Sequence, residues 1–146
     1  MRNLGIGCLL LLLFCGAAVA AGSSGVAIVK SAEGRVEVKR SGQLFAVAAG
    51  DHLVAGDLLL TGAGSRAGLI FSDGSTLNLG EKSLLRIKEF VFVPAEQKFD
   101  FRLRLDDGTA LFESGKIGRF APEKFKFEIP EGTIGIRGTR FLVEVK

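Results

Sequence analysis

Glycine punctuates the first half of the chain: Gly25, Gly34, Gly42, Gly50, Gly56, Gly62, Gly68, Gly74 and Gly80 leave only five to eight residues between successive breaks. Strands between them must be short. Where the sequence between breaks is long enough to show a period, the period is two. Val36 and Val38 alternate with Arg35, Glu37 and Lys39, and Leu85 and Ile87 alternate with Arg86 and Lys88. The clearest case sets Phe99, Phe101, Leu103 and Leu105 against Asp100, Arg102, Arg104 and Asp106, and Asp107-Gly108 follows it as a turn. Phe125, Phe127 and Ile129 alternate in the same way, and Pro130-Glu131-Gly132 closes that strand. The glycine-free interval from Gly80 to Gly108 should hold the longest strands, around Leu84 to Val93 and Phe99 to Leu105.

No segment has a convincing helical period. The expected fold is therefore all-β: short antiparallel strands in a twisted, solenoid-like or sandwich-like arrangement, with little or no helix outside the N-terminal segment. Pattern alone leaves solenoid and sandwich both open, although no repeat of fixed length supports a regular β-helix. With 146 residues the chain suits one core.

The first twenty residues stand apart from this pattern. Met1-Arg2-Asn3 is a short positive start, an uncharged run follows through Leu9 to Leu13, and Ala18-Val19-Ala20 presents small side chains. This reads as a secretory signal peptide over residues 1–20 with cleavage after Ala20. A retained membrane anchor is the rival, at the short end of the length needed to cross a bilayer. Residues 21–25 form a flexible lead-in, and residues 26–146 form the domain. Cys8 and Cys15 both lie within the leader, so the exported domain would carry no thiol, disulfide or thiolate metal site. Lipidation at Cys15 is disfavoured because Phe14, not a small residue, precedes it. The expected location is periplasmic or secreted. Removing Arg2 lowers the net charge from +3 to +2, too little to name a partner.

One irregularity lies near the end of the chain. Ile134 and Ile136 place apolar side chains at even positions, whereas Phe141, Val143 and Val145 place them at odd ones. A single strand cannot bury both sets without slipping one residue. The slip falls within Arg137-Gly138-Thr139, and Gly138 is expected at a bulge or sharp bend, with two separate strands meeting there as the alternative. Arg137 is expected to brace the disrupted ladder with its planar guanidinium.

Three stretches together resemble a known family. Gly50-Asp51 and Gly56-Asp57 lead through Leu58-Leu59-Leu60-Thr61-Gly62 to Ser65-Arg66-Ala67-Gly68-Leu69-Ile70-Phe71-Ser72-Asp73-Gly74-Ser75, and the chain closes on Gly135-Ile136-Arg137-Gly138-Thr139-Arg140-Phe141. This order of Gly-Asp, Thr-Gly, Asp-Gly-Ser and Arg-Gly-Thr-x-Phe is similar to FecR-like domains, and the likeness runs from about Val26 to Lys146. The resemblance implies an extracytoplasmic domain in bacterial envelope signalling. It marks Gly56, Asp57, Thr61, Gly62, Asp73, Gly74, Arg137, Gly138, Thr139 and Phe141 as structural motif residues. The best-known members add a cytoplasmic segment that controls a sigma factor and a receptor-facing extension, neither of which has a counterpart in this sequence.

Chemistry has few candidates. His52 is the only histidine, which removes the usual means of a metal cluster or catalytic triad and leaves it as a loop residue beside Asp51. Asp73 and Asp106-Asp107 precede glycine and serve as turn formers, without calcium-loop spacing. No catalytic residue, metal or cofactor is expected, and the chain reads as a non-enzymatic protein-interaction module whose partner is another envelope protein. Nucleic acid is excluded as a partner by export, and no stable membrane span remains after cleavage. A structural or glycan-binding envelope role is the alternative, disfavoured because all 12 aromatic residues are Phe and the usual Trp and Tyr platforms are missing.

Overall fold

Residues 24–136 and 139–146 are described by a computed structural model. The alternating segments become twelve strands: β1 (Ala27–Glu33), β2 (Val36–Arg40), β3 (Gln43–Ala46), β4 (His52–Leu53), β5 (Leu58–Thr61), β6 (Arg66–Phe71), β7 (Thr76–Leu79), β8 (Leu84–Val93), β9 (Lys98–Glu113), β10 (Phe125–Ile129), β11 (Gly132–Ile134) and β12 (Arg140–Val145). Among the described residues helical structure is confined to one short helix, α1 (Lys116–Phe120), and two single 3-10 turns at Pro94–Glu96 and Pro122–Lys124. The expected all-β class holds.

The strands make two packed layers. One runs β4-β1-β6-β7-β9-β12 and the other β3-β2-β5-β8-β9-β10-β11, so β9 belongs to both. Consecutive strands are halves of one ribbon folded over at a corner: β1 passes into β2 through Gly34, β5 into β6 through residues 62–65, and β7 into β8 through residues 80–83. The solenoid-or-sandwich choice thus resolves into a meander bent across its middle. All pairings are antiparallel except β10, which runs parallel to β9 from Phe125 opposite Phe101 to Glu128 opposite Arg104.

The longest strand corrects one sequence expectation. Asp107-Gly108 does not end the strand that begins at Lys98; β9 continues through it to Glu113. Leu84 faces Asp107 while Leu85 faces Leu105, so Asp106 is an extra residue on β9 and forms a bulge. The buried set accordingly switches from Phe101, Leu103 and Leu105 to Ala110 and Phe112. Gly108 sits at φ +94°, and a Cβ there would meet Ser83 Cα at 2.4 Å, so the bend needs a residue without a side chain.

The second correction concerns the C-terminal segment. Ile134 lies in β11, paired with β10, whereas Phe141 to Val145 lie in β12, paired with β9 in the other layer. The alternative of two separate strands therefore stands in place of one continuous strand. The proposed bulge at Gly138 and the bracing role of Arg137 fall outside the described residues.

Between the layers, alternate side chains interlock. Phe101 centres an aromatic cluster, with ring centroids 4.7 Å from Phe71, 4.8 Å from Phe90, 5.1 Å from Phe125 and 5.8 Å from Phe112. Burying each such side chain contributes about 1.5–3 kcal/mol, and well-oriented ring pairs add roughly 0.5–1.5 kcal/mol. Phe serves here as core packing.

Candidate functional site

Several motif residues lie at the corners where ribbons bend, or bond to the segments in which the chain changes layer away from the corners. At the corners the regular ladder is interrupted, and buried hydroxyls replace its missing bonds. Thr61 Oγ1 donates to the Gly80 carbonyl at 2.7 Å and accepts from the Ser83 N–H at 2.9 Å. Ser83 Oγ accepts from the Thr109 N–H at 3.1 Å, and Ser65 Oγ accepts from the Arg35 N–H at 2.8 Å. Gly62 completes the row by donating to the Arg35 carbonyl and accepting from the Lys82 N–H. A hydroxyl is the smallest group that can both donate and accept, which suits a bend where adjacent strands come too close for larger side chains. Thr61 and Gly62 therefore hold the corner together.

Residues 54–57 carry the chain from β4 in one layer to β5 in the other. Asp57 is fully buried there and grips Arg40 with both oxygens, Nε to Oδ1 at 2.7 Å and Nη2 to Oδ2 at 2.6 Å. Its Oδ2 also accepts from the Val54 N–H at 2.9 Å, while Gly56 N–H reaches the Ile87 carbonyl at 2.6 Å. The hydrogen bond to Asp57 raises the Arg40 pKa above its ordinary value, with burial opposing and charge attraction assisting. A charged fork on a carboxylate fixes this crossing in one geometry.

Residues 114–124 make another crossing, from β9 to β10. Here the clamp is Asp73, buried in the turn between β6 and β7. Its Oδ1 accepts from the Ser75 N–H at 3.0 Å, and its Oδ2 accepts from Ser75 Oγ at 2.8 Å and the Ile117 N–H at 3.1 Å. Ser75 Oγ accepts in turn from the Gly115 N–H at 2.8 Å. Gly115 lies so close that an added Cβ would stand 2.4 Å from the Asp73 carbonyl oxygen and the Ser75 nitrogen. Gly74 N–H closes the turn on the Phe71 carbonyl at 2.9 Å. Asp73 is thus a turn former, as expected, and also a tertiary latch on α1.

The other described motif residues are not brought to a common site. Thr139 accepts through its carbonyl from the Ser114 N–H at 2.7 Å, and half-buried Phe141 packs on Phe112, Phe125 and Phe127. Asp51 accepts from the Ala48 N–H at 2.8 Å between β3 and β4. His52 is exposed and lies in β4 opposite Ile28, not in a loop. Arg40, Ser65, Ser83 and Gly115 escape sequence reading; a serine just past a corner glycine is the only local sign of two of them.

Two surfaces remain open to partners. A groove of about 730 Å³ lies between the β8–β9 turn and α1, lined by Pro94, Gln97, Phe99, Arg119, Phe120 and Lys124, among others. Phe120 is 62% exposed there, its ring centroid 6.2 Å from that of Phe99. The second surface is formed by the sheet edges at β3, β4, β11 and β12, which no other strand covers among the described residues. Among the described residues no helix is long and apolar enough to cross a membrane, and no three His, Cys, Asp or Glu side chains gather as a metal site would require.

No curated protein and no solved structure matches the chain. A family model described as FecR protein matches residues 57–146, from the carboxylate that clamps the first crossing to the end of β12. Strands β1 to β4 precede that range yet complete both layers. With the match spanning more than half of its length and taking in its Arg-Gly-Thr-x-Phe motif, the chain belongs to the FecR family.

Proposed function

We propose that this protein is an extracytoplasmic, non-enzymatic interaction module that binds another envelope protein in bacterial envelope signalling or sensing. Family membership supports the signalling context. The observation that carries the reading is where the buried polar groups are spent. Asp57, Thr61, Ser65, Asp73, Ser75 and Ser83 are all buried and all bonded internally, so they build the scaffold and leave recognition to the surface. The reading also rests on export, with cleavage after Ala20 in a segment outside the described residues. N-terminal sequencing of the protein from an envelope fraction should begin at Ala21.

A second reading, a glycan-binding envelope protein, draws on the groove beside Phe120. An exposed ring flanked by Arg119 and Lys124 offers an apolar platform and cations for an anionic sugar. One experiment separates the two. Pull-down from envelope extract should recover a protein partner, while sedimentation with peptidoglycan should leave the protein in solution. Sedimentation without any protein partner would reverse the choice.

A further inference from the structure

We infer that the free edge of β12, with the shelf beside it, is an acceptor slot for one extended strand of a partner protein. This rests on the interaction-module reading and names the place and chemistry of that contact. Three observations converge on it.

The first is the direction of the backbone groups. Ser114 N–H donates to the Thr139 carbonyl, and that pair continues the register in which Arg140 faces Glu113. Mutually bonded pairs alternate along an antiparallel ladder, so Phe141, Val143 and Val145 turn their backbone groups toward β9. Arg140, Leu142 and Glu144 turn theirs away, where no described strand pairs with them. Unpaired edge groups of this kind are a template for strand addition.

The second is a step between the layers. Past β9, one layer continues with β10 and β11, and the other with β12 alone. Phe141 packs on Phe125 and Phe127, which places β12 over β10. No described strand extends the β12 layer over β11, and Ile129 and Ile134 there are half-buried against the core. At β3 and β4 the layers end together, and β3 offers fewer residues than β12.

The third is charge. The outward side chains of β12 are Arg140, Leu142 and Glu144, and Leu142 is 67% exposed. Arg140 is tied only loosely, 3.6 Å from exposed Glu113, and Glu144 lies 3.8 Å from exposed Lys146. An antiparallel strand that complements them carries an acid opposite Arg140, an apolar residue opposite Leu142 and a base opposite Glu144. Read in its own direction it is base, apolar, apolar, apolar, acid, and the intervening apolar side chains cover Ile129 and Ile134. The order of β12 itself, Arg140-Phe141-Leu142-Val143-Glu144, meets this description, but two-fold pairing of β12 with β12 would set each β11 against the β10 of the other copy, so a lone strand of a different protein is the occupant that fits.

The test uses the full protein and a labelled peptide, Ser-Gly-Lys-Val-Leu-Val-Glu-Gly-Ser. Binding should slow amide exchange at Arg140, Leu142 and Glu144. Leu142→Pro removes an outward N–H and leaves the bonds to β9, as proline does on a sheet edge. It should weaken binding at least about tenfold while the amides of Phe141 and Val143 stay protected. The double variant Arg140→Glu, Glu144→Arg should prefer the peptide with Lys and Glu exchanged by about fivefold. Equal binding by Leu142→Pro, equal binding of both peptides by the wild-type protein, or protection confined to β3 would overturn the assignment. In the envelope pull-down, a partner kept by Leu142→Pro defeats the slot and spares the interaction reading; no partner for the wild-type protein defeats the reading itself.

Discussion

Two buried aspartates pin the two crossings described above, and they are satisfied by different means. Asp57 meets a cation, Arg40, whose side chain is 37% exposed. Asp73 meets only N–H groups and a hydroxyl, from Ser75 and Ile117. In sequence both look like acids in glycine turns. The difference teaches that a carboxylate in a turn is defined by what arrives from elsewhere in the chain. Asp57 is gripped by a residue 17 positions away, and Asp73 by one 44 positions away. The first is an ion pair at the rim of the core; the second is a small network of neutral donors with every member inside.

The comparison is broken most severely at Asp73. Asp73→Ala orphans three donors at once and should cost roughly 3–5 kcal/mol, since each buried unsatisfied group costs about 1–3 kcal/mol. Chemical denaturation would measure it, and a loss below about 1 kcal/mol would mean that water replaces the network. Arg40→Ala comes next, at about 3 kcal/mol, because it leaves a buried carboxylate without its cation; the figure is at the low end for such pairs because solvent reaches the gap. Asp57→Ala should cost less, about 1–3 kcal/mol, as the freed guanidinium can turn into water and chiefly the Val54 N–H is stranded. Arg40→Ala more damaging than Asp57→Ala is the asymmetry to check by parallel denaturation curves. The smallest effect sharpens the contrast. Raising salt to about 1 M shortens the screening length to roughly 3 Å, so the loss on Arg40→Ala should shrink by a few tenths of a kcal/mol. The loss on Asp73→Ala should keep its size.

Much of the fold was legible. Alternation located β2, β8, β9 and β10, the glycine spacing foretold short strands, and Pro130-Glu131-Gly132 did join β10 to β11. Asp107-Gly108 was misread because a hairpin turn and a bulge at a bend ask the same thing of a glycine, and only the partner strand tells them apart. A change of parity is visible in sequence between Ile136 and Phe141, where the chain changes layer, while the switch between Leu105 and Ala110 within β9 is masked by the turn-like Asp107-Gly108. The family resemblance marks the motif residues as structural, and in the structure Thr61, Asp57 and Asp73 are bonded internally. Their partners Arg40, Ser83 and Gly115 could not be read, since each is set by contact across ribbons and carries no local pattern.

The sharing of β9 between layers has a consequence for how the protein comes apart. A strand whose first half pairs with β8 and whose second half pairs with β7 has no seam at which one layer can melt and leave the other standing. Heating should therefore give one transition, with amides of both halves of β9 exchanging only by global opening. Refolding has a short route to the same point, because β7, β8 and β9 are consecutive and can close as a single hairpin before the distant ribbons are recruited.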